Sequence, residues 1–293
     1  MDRSWVPPRT VPVPWERHFA SLCGLFFVQI GANCGTDHCG EGGLTKGGEP
    51  VWAYQKRFAW RGAAVEANPQ TAQLLQRNYQ NYTEVATINV AVSNESGSMD
   101  LWCPKGKTSW NYLGATSETC TSSRHWAMRS DWKDRHHYIT QVITLPELWA
   151  KLQPEAVDLL VVDVEGAESR ILASGPLPTP KPRMIFFEST SFHVDVDGIG
   201  ADALRQRAAN VHASLRGQGY KRVAIDGGSQ TESELWSNSS KLNLHDELWR
   251  HESMVELNAG TRGWGERRGV RAEARNALLF AQHNSSSPCE VNV

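Results

Sequence analysis

Hydrophobic runs recur along this chain at intervals, most of them closed by glycine, proline or an acid. The first, Leu25-Phe26-Phe27-Val28, continues through Gln29 and Ile30 and breaks into Gly31-Ala32-Asn33-Cys34-Gly35. A short run rich in aromatic and β-branched residues predicts a buried strand, and the small residues after it predict a tight turn. The same reading gives strands over 63–66, 85–92, 157–162, 184–187 and 220–225, with a short one over 99–103 and a last one over 277–281. Helical stretches alternate with them. One runs from near Pro50 over 51–60, and a second from Pro69 to Asn78 with Leu74 and Leu75 facing inward. A further strand ends at Ile143-Thr144. A third helix follows it, with Thr144 at the N-cap and Glu147 three residues later as in a capping box, while others run to about Ser174 and over 201–217. Strands alternating with helices predict a mostly parallel sheet covered on both faces.

In an open sheet of this kind, ligands bind beyond the carboxyl ends of the strands. There the chain places the Gly31–Gly35 turn and, at the end of the second strand, Glu66-Ala67-Asn68-Pro69. An acid in that position accepts the hydroxyls of a ribose, so the pair of motifs points to an adenosine-containing cofactor. The turn reads G-x-N-x-G, whereas a dinucleotide pyrophosphate calls for G-x-G-x-x-G. S-adenosylmethionine has no phosphate, and Asn33 in the middle of the turn fits it better.

Four segments in order, V-Q-I-G-A-N-C-G, A-V-E-A-N-P, N-V-A-V-S-N-E-S-G and V-D-L-L-V-V-D-V-E-G-A-E, resemble those of the FkbM-type methyltransferases. The resemblance runs from about Leu25 to Ser189, with a weaker echo at Asn276–Phe280. It implies an α/β protein of the class I methyltransferase Rossmann-like fold: a seven-stranded, mostly parallel sheet whose last strand is antiparallel, with helices on both faces. It also implies S-adenosylmethionine as cofactor and methylation of a hydroxyl oxygen. Gly31, Asn33 and Gly35 would form the cofactor turn, and Gln29 stands where many class I enzymes carry an acid. Glu66 would bind the ribose with Asn68 in support, and Asn89 and Ala91 would lie on the adenine side or serve only as strand-end packing.

A hydroxyl acceptor must lose a proton, which calls for a general base or a metal. Asp163, Glu165, Glu188 and His193 fall at the carboxyl ends of neighbouring strands. Asp163 is the first candidate for the reaction centre, touching cofactor or acceptor, and His193 has the unperturbed pKa best suited to a base. Glu168 reads as a surface cap or ion-pair residue. Clustered carboxylates are also a possible seat for a divalent ion, although no metal ligand is assigned. The Cys34-x-x-x-His38-Cys39 spacing has no second ligand pair and does not make a zinc site.

Composition narrows the alternatives. A net charge of −2 gives no electrostatic case for nucleic acid as a partner, and no apolar run is long enough to span a membrane. A proline-rich start over 1–14 without an apolar segment leaves the cytoplasm as the default location. The six cysteines form no regular framework and read as scattered reduced thiols, and four N-x-S/T sequences begin at Asn81, Asn94, Asn238 and Asn284. The chain divides into an arm and helix over 1–24 and one domain over 25–293, with insertions at about 37–49, 104–138 and 226–275. The first insertion reads as a lid or a plain surface loop, and the second as a substrate-side or solvated segment. Arg262–Arg271, in the third, reads as a contact for an anionic substrate or a solvated basic loop. The acceptor is expected to be a small molecule or carbohydrate. The alternatives are an NAD-dependent oxidoreductase and a degenerate cofactor-binding scaffold.

Overall fold

The computed structural model describes residues 23–35, 51–104, 120–128, 135–164, 166–188, 197–223, 246–251 and 289. The N-terminal arm, the glycine-rich loop over 37–48, Glu165, His193, Arg262–Arg271 and the strand expected over 277–281 lie outside the described residues or almost wholly so.

Among the described residues the main sheet has the order β3-β2-β1-β7-β8-β10-β9. Its strands are β1 (Phe26–Ile30), β2 (Arg61–Glu66), β3 (Val85–Asn89), β7 (Leu159–Val162), β8 (Met184–Glu188), β9 (Tyr220–Val223) and β10 (Asp246–His251). The first five are parallel to one another, and β10 runs antiparallel between β8 and β9. The antiparallel strand therefore comes from within the stretch read as a polar insertion. Its alternation, D-E-L-W-R-H, is mostly polar, and only pairing with β8 and β9 makes it a strand.

Two apolar layers explain why the central strands are hydrophobic on both sides. Val28, Ile30, Leu160 and Val162 pack on Leu148 and Trp149 of α4 (Leu145–Leu152), Ile171 and Leu172 of α5 (Glu168–Leu172), and Val211 and Leu215 of α6 (Ala201–Gly217). The alternate residues Phe27, Ala64, Leu159 and Val161 pack on Tyr54 and Phe58 of α1 (Trp52–Phe58), on Trp60, and on Leu75 and Tyr79 of α2 (Pro69–Tyr79). Each large side chain so buried contributes about 1.5–3 kcal/mol. Leu75 is fully buried but Leu74 is exposed, because neighbouring helical positions lie about 100° apart and only one can face the sheet.

The expected third strand splits. It ends at Asn89, and β4 (Ala91–Ser93) leaves for a second sheet of order β4-β6-β5, with β5 (Gly97–Pro104) and β6 (Arg135–Thr144) antiparallel. β6 delivers Thr144 to the N-cap of α4, where Thr144 and Glu147 form the expected capping box. A short α3 (Arg124–Ala127) lies between β5 and β6 in sequence.

The cysteines depart from the expectation of reduced thiols. Cys23 pairs with Cys289, Cys103 with Cys120, and Cys34 is also disulfide-bonded. The first pair spans 266 positions, a closeness that spacing along the chain cannot show. No helix among the described residues is long and apolar enough to cross a membrane.

Asp158 fastens the start of β7 to the start of β1. Its Oδ2 accepts from the Phe26 amide at 2.8 Å, while Arg183 Nη1 donates to Oδ1 at 3.0 Å. Asp158 is buried, so truncation leaves the Phe26 main-chain N–H without its acceptor, while the half-exposed Arg183 turns to water. Asp158→Ala is expected to lower stability by about 1–3 kcal/mol in urea unfolding. Arg183→Ala should cost less, since the Phe26 contact survives. Equal midpoints for wild type and Asp158→Ala would contradict this account.

Candidate functional site

The carboxyl ends of β1, β2, β3 and β7 meet at one edge of the sheet. The Gly31 and Ala32 amides both donate to the Val65 carbonyl at 2.9 Å, and the Asp163 amide donates to the Ile30 carbonyl at 2.9 Å. Gly31 has φ +81°, and a Cβ there would lie 1.6 Å from the Asp163 carbonyl oxygen. Only glycine lets the end of β1 pass this close to the end of β7. At Gly35, φ +69°, a Cβ would lie 2.4 Å from the Tyr79 ring and 2.5 Å from a Leu75 methyl. Both glycines are thus demanded by the protein's own packing, a reason beyond the room for a cofactor that the motif suggested.

Between them Asn33 adopts the left-handed conformation, φ 49°, which asparagine tolerates better than most residues. Its Oδ1 accepts from the Cys34 amide at 2.9 Å, and its own amide donates to Glu66 Oε2 at 2.9 Å. The Asn68 amide donates to Glu66 Oε1 at 2.7 Å. Asn68 also caps α2, its Oδ1 accepting from the Gln70 amide at 3.0 Å. Its Nδ2 lies 3.2 Å from Cys120 Sγ. The cysteine pair Cys103–Cys120 therefore backs the loop that holds Glu66, a contact the sequence reading did not contain.

Asn89 lies beside this loop and braces it. Its Nδ2 donates to the carbonyls of Glu66 at 2.8 Å and Ala67 at 3.2 Å, and Thr140 of β6 adds a bond to Ala67 at 3.1 Å. Ala91 is buried in β4, opposite Val142. Gln29 is buried within β1, between Ala64 and Val161 of the flanking strands. Glu188 ends β8, opposite Asp246.

Asp163 is half-buried beside Gly31. The turn that carries it is closed by Glu168, whose Oε1 accepts from the amides of Val164 at 3.0 Å and Gly166 at 3.2 Å. Glu168 is fully buried and not a surface residue: the turn folds back, and the carboxylate replaces water for two main-chain amides. The signal was present in Gly166-Ala167 just before the acid, small residues that let the chain double over its own side chain.

Burial pushes the Glu66 carboxyl up to about 7, against the pull of the amides of Asn68, Asn33 and Ala67. A carboxylate accepts about four hydrogen bonds, so three main-chain amides leave capacity for a hydroxyl-bearing ligand on the partly open side. This spare acceptor capacity suits a ligand that donates from hydroxyls, as a ribose does. Among the described residues no group of three His, Cys, Asp or Glu side chains gathers as a metal site, and Cys34 is held in a disulfide.

Because the folded state holds the Glu66 proton more tightly than the unfolded state, its contribution to stability is present below pH 4.5 and lost as pH rises to about 7. The stability of wild type relative to Glu66→Gln should fall by up to about 3 kcal/mol between pH 4 and pH 8. Paired chemical unfolding curves across that range check the slope; a flat difference would contradict the desolvated carboxylate.

The Methyltransferase FkbM domain matches residues 29–222 of this chain. No curated protein matches this chain. Among solved structures, it is similar to the Methanococcus jannaschii fibrillarin pre-rRNA processing protein, at 12% identity and TM-score 0.37 over 79% of this chain and 68% of that one. It is also similar to Aeropyrum pernix fibrillarin in complex with natively bound S-adenosyl-L-methionine, at 9% identity and TM-score 0.33 over 78% and 67%. A third is the CurJ carbon methyltransferase, at 8% identity and TM-score 0.31, where 80% of this chain spans 49% of that one. Likenesses this distant carry no argument about substrate. The domain match covers well over half of the chain and includes the Gly31 turn, Glu66 and Asp163, and the chain belongs to the FkbM methyltransferase family, whose methyl donor is S-adenosylmethionine.

Proposed function

We propose that this chain methylates a hydroxyl oxygen on a small molecule or carbohydrate, with S-adenosylmethionine held between the Gly31–Gly35 turn and Glu66. The observation that carries this reading is the Glu66 carboxylate, fixed by the Asn33 and Asn68 amides beside the Gly31–Asp163 crossing. Family membership and the β10 strand antiparallel between β8 and β9 support a class I arrangement. We read residues 25–293 as one domain on the same grounds.

When bound, S-adenosylmethionine supplies a methyl group already activated by its sulfonium. The residues' task is then to hold the ribose, align an acceptor and take its proton. Glu66 accepts ribose hydroxyls, and Asn33 and Asn68 keep its two oxygens in place. Asn89 holds the Glu66–Ala67 main chain, and we retain it with Ala91 and Gln29 among the cofactor-side residues. Asp163 is the first candidate to face the acceptor. Glu165, Glu188 and His193 remain candidates for the base.

Calorimetric titration of S-adenosylmethionine, S-adenosylhomocysteine and NAD tests the reading. The first two should bind and NAD should not, and Glu66→Ala should weaken binding about 10- to 100-fold, the worth of hydrogen bonds to a charged acceptor. A ribose hydroxyl donates best to ionised Glu66, so affinity for S-adenosylhomocysteine should be about tenfold weaker at pH 6 than at pH 8. NAD binding alone would replace methyl transfer with an oxidoreductase. Silence from all three would leave a scaffold. With binding established, loss of turnover but not of affinity in Asp163→Asn or His193→Ala would identify the base.

A further inference from the structure

Two of the four N-x-S/T sequences fall among the described residues, and both occupy exposed turns. Asn81-Tyr82-Thr83 joins α2 to β3, with Asn81 and Thr83 exposed. Asn94-Glu95-Ser96 joins β4 to β5, and all three residues are exposed. An N-x-S/T sequence is used only where the asparagine ends on a surface that can carry a bulky glycan. Neither position touches the Glu66 site. α2 leaves the carboxyl edge of the sheet at Asn68 and returns to the opposite edge, where Asn81 precedes Val85 at the start of β3. The Asn94 turn is tied instead to the first turn of α4, through the hydrogen bond between the Ser96 hydroxyl and Glu147.

The disulfides are an independent observation with the same direction. Cys23–Cys289, Cys103–Cys120 and the bonded Cys34 leave no free cysteine among the described residues. Disulfides persist in oxidising compartments and are rare in a reducing cytosol, and it is in the oxidising secretory route of eukaryotic cells that asparagines in this sequence are glycosylated. We propose that Asn81 and Asn94 carry N-linked glycans and that the chain matures in such a compartment, which replaces the cytoplasmic default. In each modification the asparagine Nδ2 forms a bond to the anomeric carbon of a lipid-diphosphate-linked oligosaccharide. The carbon–oxygen bond to the diphosphate breaks, the lipid diphosphate leaves with the electron pair, and the amide gives up one proton. Each disulfide forms as two thiols surrender two protons and two electrons to a disulfide donor of the compartment.

The full chain is produced in a eukaryotic host both in the cytosol and, behind a secretion leader, in the secretory pathway. Folding is read by cooperative thermal unfolding, cysteine state by alkylation, and glycan sites by mass spectrometry after enzymatic deglycosylation, which converts a glycosylated asparagine to aspartate. The expected result is folded, fully oxidised protein from the secretory route only, with conversion at positions 81 and 94. Asn81→Gln and Asn94→Gln should each abolish one conversion, and Thr83→Ala should abolish that at Asn81 with the asparagine intact. Folded secreted protein with both asparagines unmodified would overturn the proposal. So would cooperatively folded cytosolic protein with Cys103 and Cys120 as free thiols. None of these readouts depends on methyl transfer, so failure here and failure of the cofactor reading are distinguishable.

Discussion

Two main-chain amides, from Asn33 and Asn68, close on the carboxylate of Glu66. That arrangement ties together everything at the functional edge of the sheet. One amide belongs to the turn after β1 and the other to the N-cap of α2, so a single side chain from β2 holds both neighbours in position. The carboxylate is costly where it sits, since burial raises its pKa to about 7. A ligand that donates hydroxyls to it offsets that cost, which is the physical reason for reading the site as a ribose cradle.

The rest of the fold serves this edge. β1 and β7 are buried on both faces, so neither can shift without exposing one of the two apolar layers. Asp158 locks their starting ends, and the Gly31–Asp163 crossing fixes their finishing ends. Glu168 then sets the turn beyond β7, making Asp163 part of a built corner. On the other side, Asn89 and Thr140 hold the Ala67 carbonyl, so the second sheet is also coupled to the loop bearing Glu66.

Much of this was legible in the chain because the informative features are local. Apolar runs marked the central strands, Thr144 and Glu147 marked a helix start, and the acid after β2 marked the site. Contacts made across the fold were not legible. Glu168 looks like a surface acid until the turn doubles back over it. The strand Asp246–His251 has a polar alternation that only pairing with β8 and β9 turns into sheet. β6 alternates too, with Thr140 and Val142 buried while Ile139 and Gln141 face solvent; its end at Thr144 was legible, but its basic start was read as part of an insertion. The disulfides join cysteines whose spacing has no regularity, and one of them stands against Asn68 at the heart of the site.

The most direct test of the central claim is a crystal structure with S-adenosylhomocysteine. The account predicts ribose hydroxyls within hydrogen-bond distance of Glu66, with the Asn33 and Asn68 amides still on its two oxygens. A ligand whose ribose lies elsewhere, or a Glu66 released from those amides and turned to solvent, would contradict it.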